Sequence, residues 1–178
     1  MNGSLMGSHA NHSHMVDLDE IDLEILRHFD REGEVDVDTL SEELDVSPST
    51  IYYRLETYRD RGLVDGTIAD LDPSGLGFEL TAITEIKSEY GPGYEEIAER
   101  LTELSGVQSV YFMLGETSFT VISRLRDHDH LKELIDDIIH TDGVAHSSTQ
   151  LVLRTFKDEP RLLVNYDDED LRRIIDDS

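Results

Sequence analysis

The sequence contains no cysteine and only three lysines among its 178 residues. Without cysteine the protein can form no disulfide, no thiol nucleophile and no Cys-based zinc site. No apolar run reaches the roughly 20 residues that a transmembrane helix needs, and no secretory signal pattern is present. A glycine-rich phosphate-binding loop is also missing. We therefore predict a cytoplasmic protein that has no membrane span and needs no cofactor.

Acidic residues are strongly over-represented in this sequence. Forty Asp and Glu face fifteen Lys and Arg, which gives a formal net charge of -25. The acids are spread over every segment, and this argues against a single disordered acidic tract. An acidic surface of this kind fits a folded protein in a cytoplasm that contains molar KCl, where the Debye length is roughly 3 Å. An ordinary acidic protein is the alternative interpretation.

The first 16 residues, MNGSLMGSHANHSHMV, are small, polar and aperiodic. His9, His12 and His14 could hold a metal ion, but this composition is typical of a tag or a disordered leader. We therefore predict no metal site in residues 1–16 and start the first domain at residue 17.

Residues 40–64, LSEELDVSPSTIYYRLETYRDRGLV, have the pattern of a helix-turn-helix. Ser47 is suited to cap the second helix, because its hydroxyl can accept from the free N–H groups of the first turn. Pro48 follows at a position where a missing N–H costs nothing. The apolar stripe of this helix consists of Ile51, Leu55 and Tyr58. In this geometry the second helix lies in the major groove of DNA.

The first half of the sequence predicts three helices in a domain that spans residues 17–66. They cover residues 20–31 capped by Asp19, residues 39–44 capped by Asp38, and residues 48–61. Residues 64–71 alternate weakly and indicate a wing or linking strand. The turn signal Asp72-Pro73-Ser74-Gly75 marks the domain boundary within a hinge over residues 67–78.

The second half, residues 79–157, has a different periodicity. It predicts strands at 80–87, 107–114, 119–125 and 144–156, with helices at 94–104 and 130–140. The order β-α-β-β-α-β predicts a ferredoxin-like α+β domain, with both helices on one sheet face and the other face open to a partner. In the C-terminal extension, residues 158–178, we predict a short strand at 161–166 and a helix whose apolar residues pack within the subunit or on a partner.

This arrangement resembles the Lrp/AsnC (feast/famine) family of transcription regulators over residues 18–156. The clearest marks are LDEIDLEIL in the first helix, LDVSPSTIYYRLETYRDRGLV, the DPSGLGF joint and the Gly115-Glu116 turn. The resemblance implies a winged helix-turn-helix domain followed by a ferredoxin-like regulatory domain (RAM/AsnC-type). It also implies double-stranded DNA as partner, and homodimers that often assemble into tetramers or octamers. The dimers would form through the linking strand and the open sheet face, and many members bind an amino acid or another small metabolite.

The resemblance also indicates which residues contact DNA. Family members read bases from the first two turns of the recognition helix, and Arg54 is expected to pair with phosphate or with an acid of the first helix. The candidate DNA-binding residues are Ser47, Ser49, Thr50, Tyr52, Tyr53, Arg54, Thr57, Arg59 and Arg61.

The charge of the DNA-binding half departs from that of an ordinary DNA-binding domain. Residues 18–66 contain 5 basic and 15 acidic residues, a net of -10, where a basic patch would be usual. Counterion release drives binding in dilute salt but yields little at molar salt. We therefore expect DNA affinity to fall less steeply with KCl than it does for a basic repressor.

An effector site is implied at the turn between the second and third strands. Relatives carry a Gly-acid-aromatic-acid run there, whereas this chain has Gly115, Glu116, Thr117 and Ser118, so that serine replaces the second acid. Positions that line the same pocket correspond to Ser147, Ser148 and Thr149. An ordinary polar hairpin and strand end is the alternative interpretation.

Two other functions are alternatives to a DNA-binding regulator. Sirohaem decarboxylases resemble this two-domain fold, but they need basic groups near the second and third strands. Here that region has no histidine and only Arg124, while His128 and His130 come later. A metabolite-binding oligomer without DNA binding is the third possibility, and the intact cap and turn of the helix-turn-helix argue against it. We predict that the protein is not an enzyme.

Overall fold

The computed structural model describes residues 17–89 and 93–176. It divides into two compact units, one of which contains the described residues up to Ala69 together with those from Glu159 onward, and the other Asp70–Asp158. The histidines of the leader lie outside the described residues. Within the described part no helix combines the length and apolar character needed to span a bilayer. The same residues contain no group of three or more His, Asp or Glu placed to hold a metal ion.

The first unit begins with three helices: α1 (Glu20–Glu32), α2 (Val37–Leu44) and α3 (Pro48–Asp60). The apolar periodicity predicted these helices, and the structure confirms them. Their shared core is formed by Ile25, Val37, Leu40, Ile51 and Tyr58, all of which are buried. The predicted stripe of the recognition helix α3 therefore faces inward, with Leu55 packed at its margin.

Local signals set most of the helix ends. Asp19 caps α1 in a reciprocal capping box with Asp22, and Gly33 ends this helix in a left-handed conformation at φ 76°. Ser47 caps α3 as expected, since its Oγ accepts from the Thr50 N–H at 3.2 Å. These ends were readable because each depends on residues only three positions apart.

The start of α2 differs from the prediction, which used Asp38 as its cap. The observed cap is Asp36, which accepts hydrogen bonds from the Thr39 N–H at 3.2 Å and the Thr39 hydroxyl at 2.8 Å. Starting the helix there buries Val37 in the core of the unit. Two aspartates two positions apart offer the same local signal, and burial of Val37 decides between them.

Residues 64–71, predicted as a wing or linking strand, have no strand pairing to any described residue. The Thr67 hydroxyl donates to the Gly33 carbonyl at 2.8 Å and fixes this segment against the end of α1. Ile68 is 93% exposed and Leu71 is 63% exposed. A strand needs a neighbour for its backbone groups, and residues 17–89 and 93–176 supply none here. The turn predicted at Asp72 is present, with the Ser74 N–H donating to the Asp72 carboxylate at 3.0 Å.

The second unit has the predicted β-α-β-β-α-β order. It comprises β1 (Leu80–Ser88), α4 (Tyr94–Thr102), β2 (Val107–Phe112), β3 (Phe119–Leu125), α5 (His128–Ile139) and β4 (Val144–Leu151). The four strands form one antiparallel sheet in the order β2-β3-β1-β4. Alternate residues of β1 and β3, among them Ile86 and Phe119, are buried in a core with α4 and α5. The fold class is therefore α+β, as predicted.

Two strands of this unit are shorter than predicted, and one helix starts earlier. The ladder of β4 ends at Leu151, which lies opposite Ala82. Because β1 begins at Leu80, no partner strand remains for residues as far as 156. The second strand stops at Phe112, before the turn. In α5, Asp127 accepts from the His130 N–H at 2.8 Å and starts the helix at His128.

The C-terminal extension contains no strand over residues 161–166, contrary to the prediction. Asp30 of α1 accepts from the backbone N–H groups of Leu162 at 3.1 Å and Leu163 at 2.7 Å. These contacts curl the chain into a single 3₁₀ turn, Leu163–Asn165. Helix α6 (Asp168–Asp176) follows, and its Leu171 is only 1% exposed.

Candidate DNA interface and effector turn

The outer face of α3 carries two large exposed phenols. Tyr52 is 62% exposed and Tyr53 is 70% exposed, although α3 as a whole packs firmly on α1 and α2. Ser49 lies one turn before Tyr53 and is also exposed. Phenol and hydroxyl groups can hydrogen-bond to base edges or phosphates, and the rings can contact thymine methyl groups. Three of the predicted base-reading residues therefore share one accessible face.

Hydroxyl groups cluster at the N-terminal end of this face. The Ser47 Oγ lies 2.8 Å from both the Ser49 Oγ and the Thr50 Oγ1, in addition to capping the helix. The Thr57 hydroxyl donates to the Tyr53 carbonyl at 2.9 Å. Ser47 and Thr57 are thus already engaged with the backbone of the helix itself, whereas the Ser49 hydroxyl has a hydroxyl group as its partner.

A polar network on the inner side of α3 joins it to the start of α1. The Arg54 guanidinium donates to both carboxylate oxygens of Asp19, at 2.9 and 2.8 Å, and forms an ion pair with Asp22. The buried Tyr58 hydroxyl donates to the same Asp22. Of the two partners expected for Arg54, phosphate or a first-helix acid, this structure contains the acid. The network fixes the orientation of the recognition helix on α1.

The ionisation of these groups follows from their contacts. The hydrogen bond from Arg54 is the largest cause that lowers the pKa of Asp19 below its ordinary value of 3.8. The pKa of Arg54 is raised, first by its hydrogen bond to Asp19. Burial, followed by the bond to Asp22, raises the pKa of Tyr58. At neutral pH the network therefore consists of charged Asp19, charged Arg54 and a protonated Tyr58 donor.

Sequence reasoning did not find this network. It treated Tyr58 as part of an apolar stripe, although an arginine and a tyrosine four positions apart lie on one side of a helix. Asp19 and Asp22 were visible as a cap and a first-turn acid. The pairing of Asp19 and Asp22 with Arg54 and Tyr58, which lie 32 to 36 positions away in the chain, depends on how α3 packs on α1.

Arg59 and Arg61 lie exposed at the C-terminal end of α3. Neither forms an ion pair with any residue of 17–89 or 93–176, and the same holds for Arg31. Arg27 and Arg54, by contrast, are both held by carboxylates. Two of the four described arginines of this unit that have no ion pair, Arg31, Arg59, Arg61 and Arg172, thus lie on or next to α3.

The candidate effector turn, residues 115–118, is held by hydrogen bonds between its serine and β1. The Ser118 N–H donates to the Ile86 carbonyl at 2.8 Å, and its Oγ accepts from the Ser88 N–H at 3.0 Å. Ser118 therefore ties the turn to the end of β1. Glu116 is the one carboxylate of the turn, and its carboxylate lies 3.8 Å from the Lys87 ammonium with a side chain that is 95% exposed. Gly115 and Thr117 complete the turn.

The three predicted pocket residues of β4 do not share one face. Ser147 lies opposite Ile86 and Thr149 opposite Thr84, with the two threonine hydroxyls 2.9 Å apart. Ser148 lies opposite Glu85 on the other face of the sheet, because side chains alternate along a strand. Ser147 and the Ser118 turn therefore flank the same end of β1, whereas Ser148 does not join them.

Arg124, the one basic residue in the region where a decarboxylase would need basic groups, is held by neighbouring residues. The Arg124 guanidinium donates to the Thr81 hydroxyl at 2.7 Å and pairs with Asp158. His130 is 8% exposed, and its backbone N–H is used in the capping contact with Asp127. Arg124 lines a groove on the open sheet face together with Arg154, Lys157 and Asp158. Arg126 and His130 line a separate cavity that also contains the acids Glu133 and Asp137.

A helix-turn-helix with an accessible recognition face, linked to an antiparallel sheet with one open face, defines a class of two-domain DNA-binding regulators. Family models agree with this division: a winged helix-turn-helix DNA-binding model matches residues 18–65, and the Lrp/AsnC ligand binding domain matches residues 81–162. Among curated proteins, the HTH-type transcriptional regulator Ptr1 of Methanocaldococcus jannaschii is 32% identical over 146 residues, which cover 82% of this chain and 98% of Ptr1. The chain therefore belongs to the Lrp/AsnC family of helix-turn-helix transcriptional regulators.

Solved structures give the same result. A transcriptional regulator of Neisseria meningitidis in complex with L-methionine has a TM-score of 0.76 and 25% identity, covering 83% of this chain and 97% of the other. The feast or famine regulatory protein of M. tuberculosis, also complexed with L-methionine, has a TM-score of 0.74 and 26% identity, with coverages of 82% and 99%. The protein is thus a sequence-specific DNA-binding regulator of the Lrp/AsnC type, and the matched relatives are named as regulators rather than as enzymes.

Proposed function

We propose that the outer face of α3 reads the operator through Ser49, Thr50, Tyr52 and Tyr53, while Arg59 and Arg61 contact phosphates. The supporting observation is the division of the helix into two sides. Tyr52 and Tyr53 are exposed on one side, and Arg54 and Tyr58 are held by α1 on the other. Arg54 thus acts by positioning the helix. Ser47 and Thr57 support the same surface from within the helix.

The operator can be found by selecting bound fragments from a random DNA pool in about 2 M KCl. At this salt concentration the Debye length is at most about 3 Å. Enrichment of an inverted repeat with half-sites about one helical turn apart is the expected result for a dimeric reader. On that operator, Tyr53→Ala should weaken specific binding by about tenfold to hundredfold. Tyr53→Phe is the matched variant, which keeps the ring and so separates its contribution to binding from that of the hydroxyl. Unchanged specific binding by Tyr53→Ala would remove Tyr53 from the interface.

We further propose that the protein is adapted to a cytoplasm of high salt, as in halophilic archaea. The net charge of -25 is the supporting observation, together with the excess of acids in the DNA-binding half. The logarithm of the binding constant should then fall only weakly with the logarithm of KCl concentration. A steep negative slope, like that of a protein which neutralises many phosphates, would contradict this adaptation.

We propose that two chains form a homodimer through the open sheet face and residues 64–71. A groove of about 430 Å³ lies on this face and is lined by Ile83, Tyr111 and Ile122, among others. Ile83 and Tyr111 are respectively 37% and 51% exposed in the single chain. Ile83→Asp should give a monomer in sedimentation experiments. Exposed Met113 and Leu114 at the hairpin tip favour a further step to tetramers or octamers.

An amino acid is the effector that we propose, with L-methionine as the first compound to test. Two structural neighbours contain L-methionine. In this chain Glu116 is exposed and only weakly paired with Lys87, so its carboxylate is available to a ligand ammonium beside Ser147. Glu116→Gln should weaken binding in calorimetry about tenfold or more, whereas Glu103→Gln should not. Equal binding by both variants would exclude the role of Glu116.

The protein is proposed to act in the cytoplasm as a regulator and not as an enzyme. Arg124 is already bound by Thr81 and Asp158, and the matched relatives are named as transcriptional regulators, which together favour a regulator over a tetrapyrrole-binding enzyme. Adding sirohaem and recording visible absorbance tests this directly. A stable new spectrum would contradict the assignment.

A further inference from the structure

Helix α1 buries two opposite sides, and the helix-turn-helix core accounts for only one. Ile25 belongs to that core, with Ile21 packed against it. Leu23 lies about 200° around the helix from Ile21 and from Ile25, yet it is only 6% exposed. The core cluster of this unit does not contain Leu23. Another element must therefore cover the outer side of α1.

That element is the C-terminal extension. A cavity of about 120 Å³ between α1 and α6 is lined by Leu23 and Arg27 on one helix and by Asp168 and Arg172 on the other. Leu171 of α6 is 1% exposed, and Arg27 pairs with Asp168. One fully buried leucine and an ion pair thus hold α6 to the outer side of α1.

A second anchor precedes α6. The Asp30 carboxylate accepts from the backbone N–H groups of Leu162, Leu163 and Val164, at 3.1, 2.7 and 3.4 Å. Three converging N–H groups form a concave site for an anion, and here the anion is a side chain of α1. The extension is therefore fixed to α1 at two places, by backbone groups at Asp30 and by side chains along α6.

The chain segment that connects the second, regulatory unit (Asp70–Asp158) to the Asp30 anchor is short. Asp158 is held by Arg124 of β3, and Leu162 is already bound to Asp30. Only residues 159–161 lie between them, and four peptide steps span at most about 14 Å when fully extended. The chain therefore passes between the two units twice, once through the hinge after Ala69 and once here.

We propose that residues 159–176 form a C-terminal clasp, a second and releasable connection in the same chain. The clasp connects the helix-turn-helix part of the first unit, helices α1–α3, to the second, regulatory unit, Asp70–Asp158. The Lrp/AsnC ligand binding domain match ends at residue 162, so α6 lies beyond the part that the family model describes. We expect the clasp to open because the polar contacts that fix it to α1 include an ion pair and hydrogen bonds at the surface, and such contacts individually contribute little. Opening it would leave the hinge as the sole connection.

The test cleaves the hinge, which is the other connection between the two units. A protease site inserted between Ala69 and Asp70, both exposed, is cleaved in the folded full-length protein, which is then passed over a sizing column. The nicked protein should elute as one species, because the clasp retains the DNA-binding fragment. Nicked Leu171→Ser should separate into two fragments, while nicked Leu162→Ser, whose side chain is 64% exposed, should stay together.

Asp30→Asn provides a second variant that leaves the Leu171 contact in place, and it should release a larger fraction of the fragment than the unmodified nicked protein does. Separation of the unmodified nicked protein would overturn the proposal. Retention of both fragments in Leu171→Ser and in Asp30→Asn would also overturn it, since something other than the clasp would then hold the unit. None of these readouts involves DNA or an effector.

Discussion

Tyr58 is a side chain that does two things in the DNA-binding unit. Its ring is buried in the core at 2% exposure, and its hydroxyl donates to the Asp22 carboxylate. A buried hydroxyl that finds a charged acceptor contributes more than one bonded to a neutral group. Tyr58 is therefore both a packing residue and a connection between the recognition helix and α1.

Tyr58→Phe keeps the ring and removes only the donor. Asp22 retains its pairing with Arg54, so we expect a loss of about 2 kcal/mol in the free energy of unfolding of this unit. Urea unfolding followed by far-ultraviolet circular dichroism measures it. Tyr53→Phe is the control, since Tyr53 is exposed and should change stability by less than about 0.5 kcal/mol. Equal effects of the two variants would show that the Asp22 contact contributes nothing.

The pKa of Asp19 gives a prediction of pH dependence. Because Arg54 lowers this pKa in the folded state, the unfolded chain binds more protons near the ordinary value of 3.8. The stabilisation is fully present above that value and is lost as the pH falls toward the lower folded pKa. Asp19→Asn should therefore flatten the decline of stability between about pH 5 and pH 2. Asp17→Asn, which removes an equal charge nearby, should leave the decline unchanged.

At the scale of elements, the helix ends show which signals act locally. The start of α2 gives a direct comparison, since Asp36 binds Thr39 through two contacts and Asp38 is the cap that the sequence alone favoured. Asp36→Ala should destabilise the DNA-binding unit by about 1 kcal/mol, while Asp38→Ala should change it by less than about 0.5 kcal/mol. Thermal unfolding of the two variants distinguishes them, and the reverse order would restore Asp38 as the cap.

The same comparison explains how much could be predicted from the sequence. Helices α1 and α3 and strand β3 were predicted well because caps, apolar spacing and turns lie within a few residues of each other. Residues 64–71 were predicted from weak alternation as a wing or linking strand, and residues 161–166 as a short strand. Neither prediction identified a partner strand. Among the described residues the first segment pairs with none, and the second is bound by Asp30. The candidate effector set stays a prediction, and within it Ser148 lies on the sheet face opposite Ser147 because side chains alternate along a strand.

At the scale of the whole molecule, the clasp should restrict how the DNA-binding units reach their half-sites. Lengthening the operator spacing by about 5 base pairs turns one half-site to the opposite side of the duplex. We expect the native protein to lose most of its specific binding to such an operator, and Leu171→Ser to lose much less. Gel-shift titration on both operators gives, for each protein, the ratio of its binding constants for the normal and the lengthened operator. Leu162→Ser should behave as the native protein, and identical ratios in all three would show that the clasp does not limit reach.

The recognition helix described above separates the residues that hold it from the residues that face outward, and this separation bears on how such a regulator can change its target during evolution. Arg54 and Tyr58 bind α1, whereas Ser49, Tyr52 and Tyr53 support no core contact of their own. Substitutions at the outward positions can accumulate without loss of the fold. A gene duplicate could thus acquire a new operator through a few changes on one helix face, while the rest of the chain is inherited unchanged.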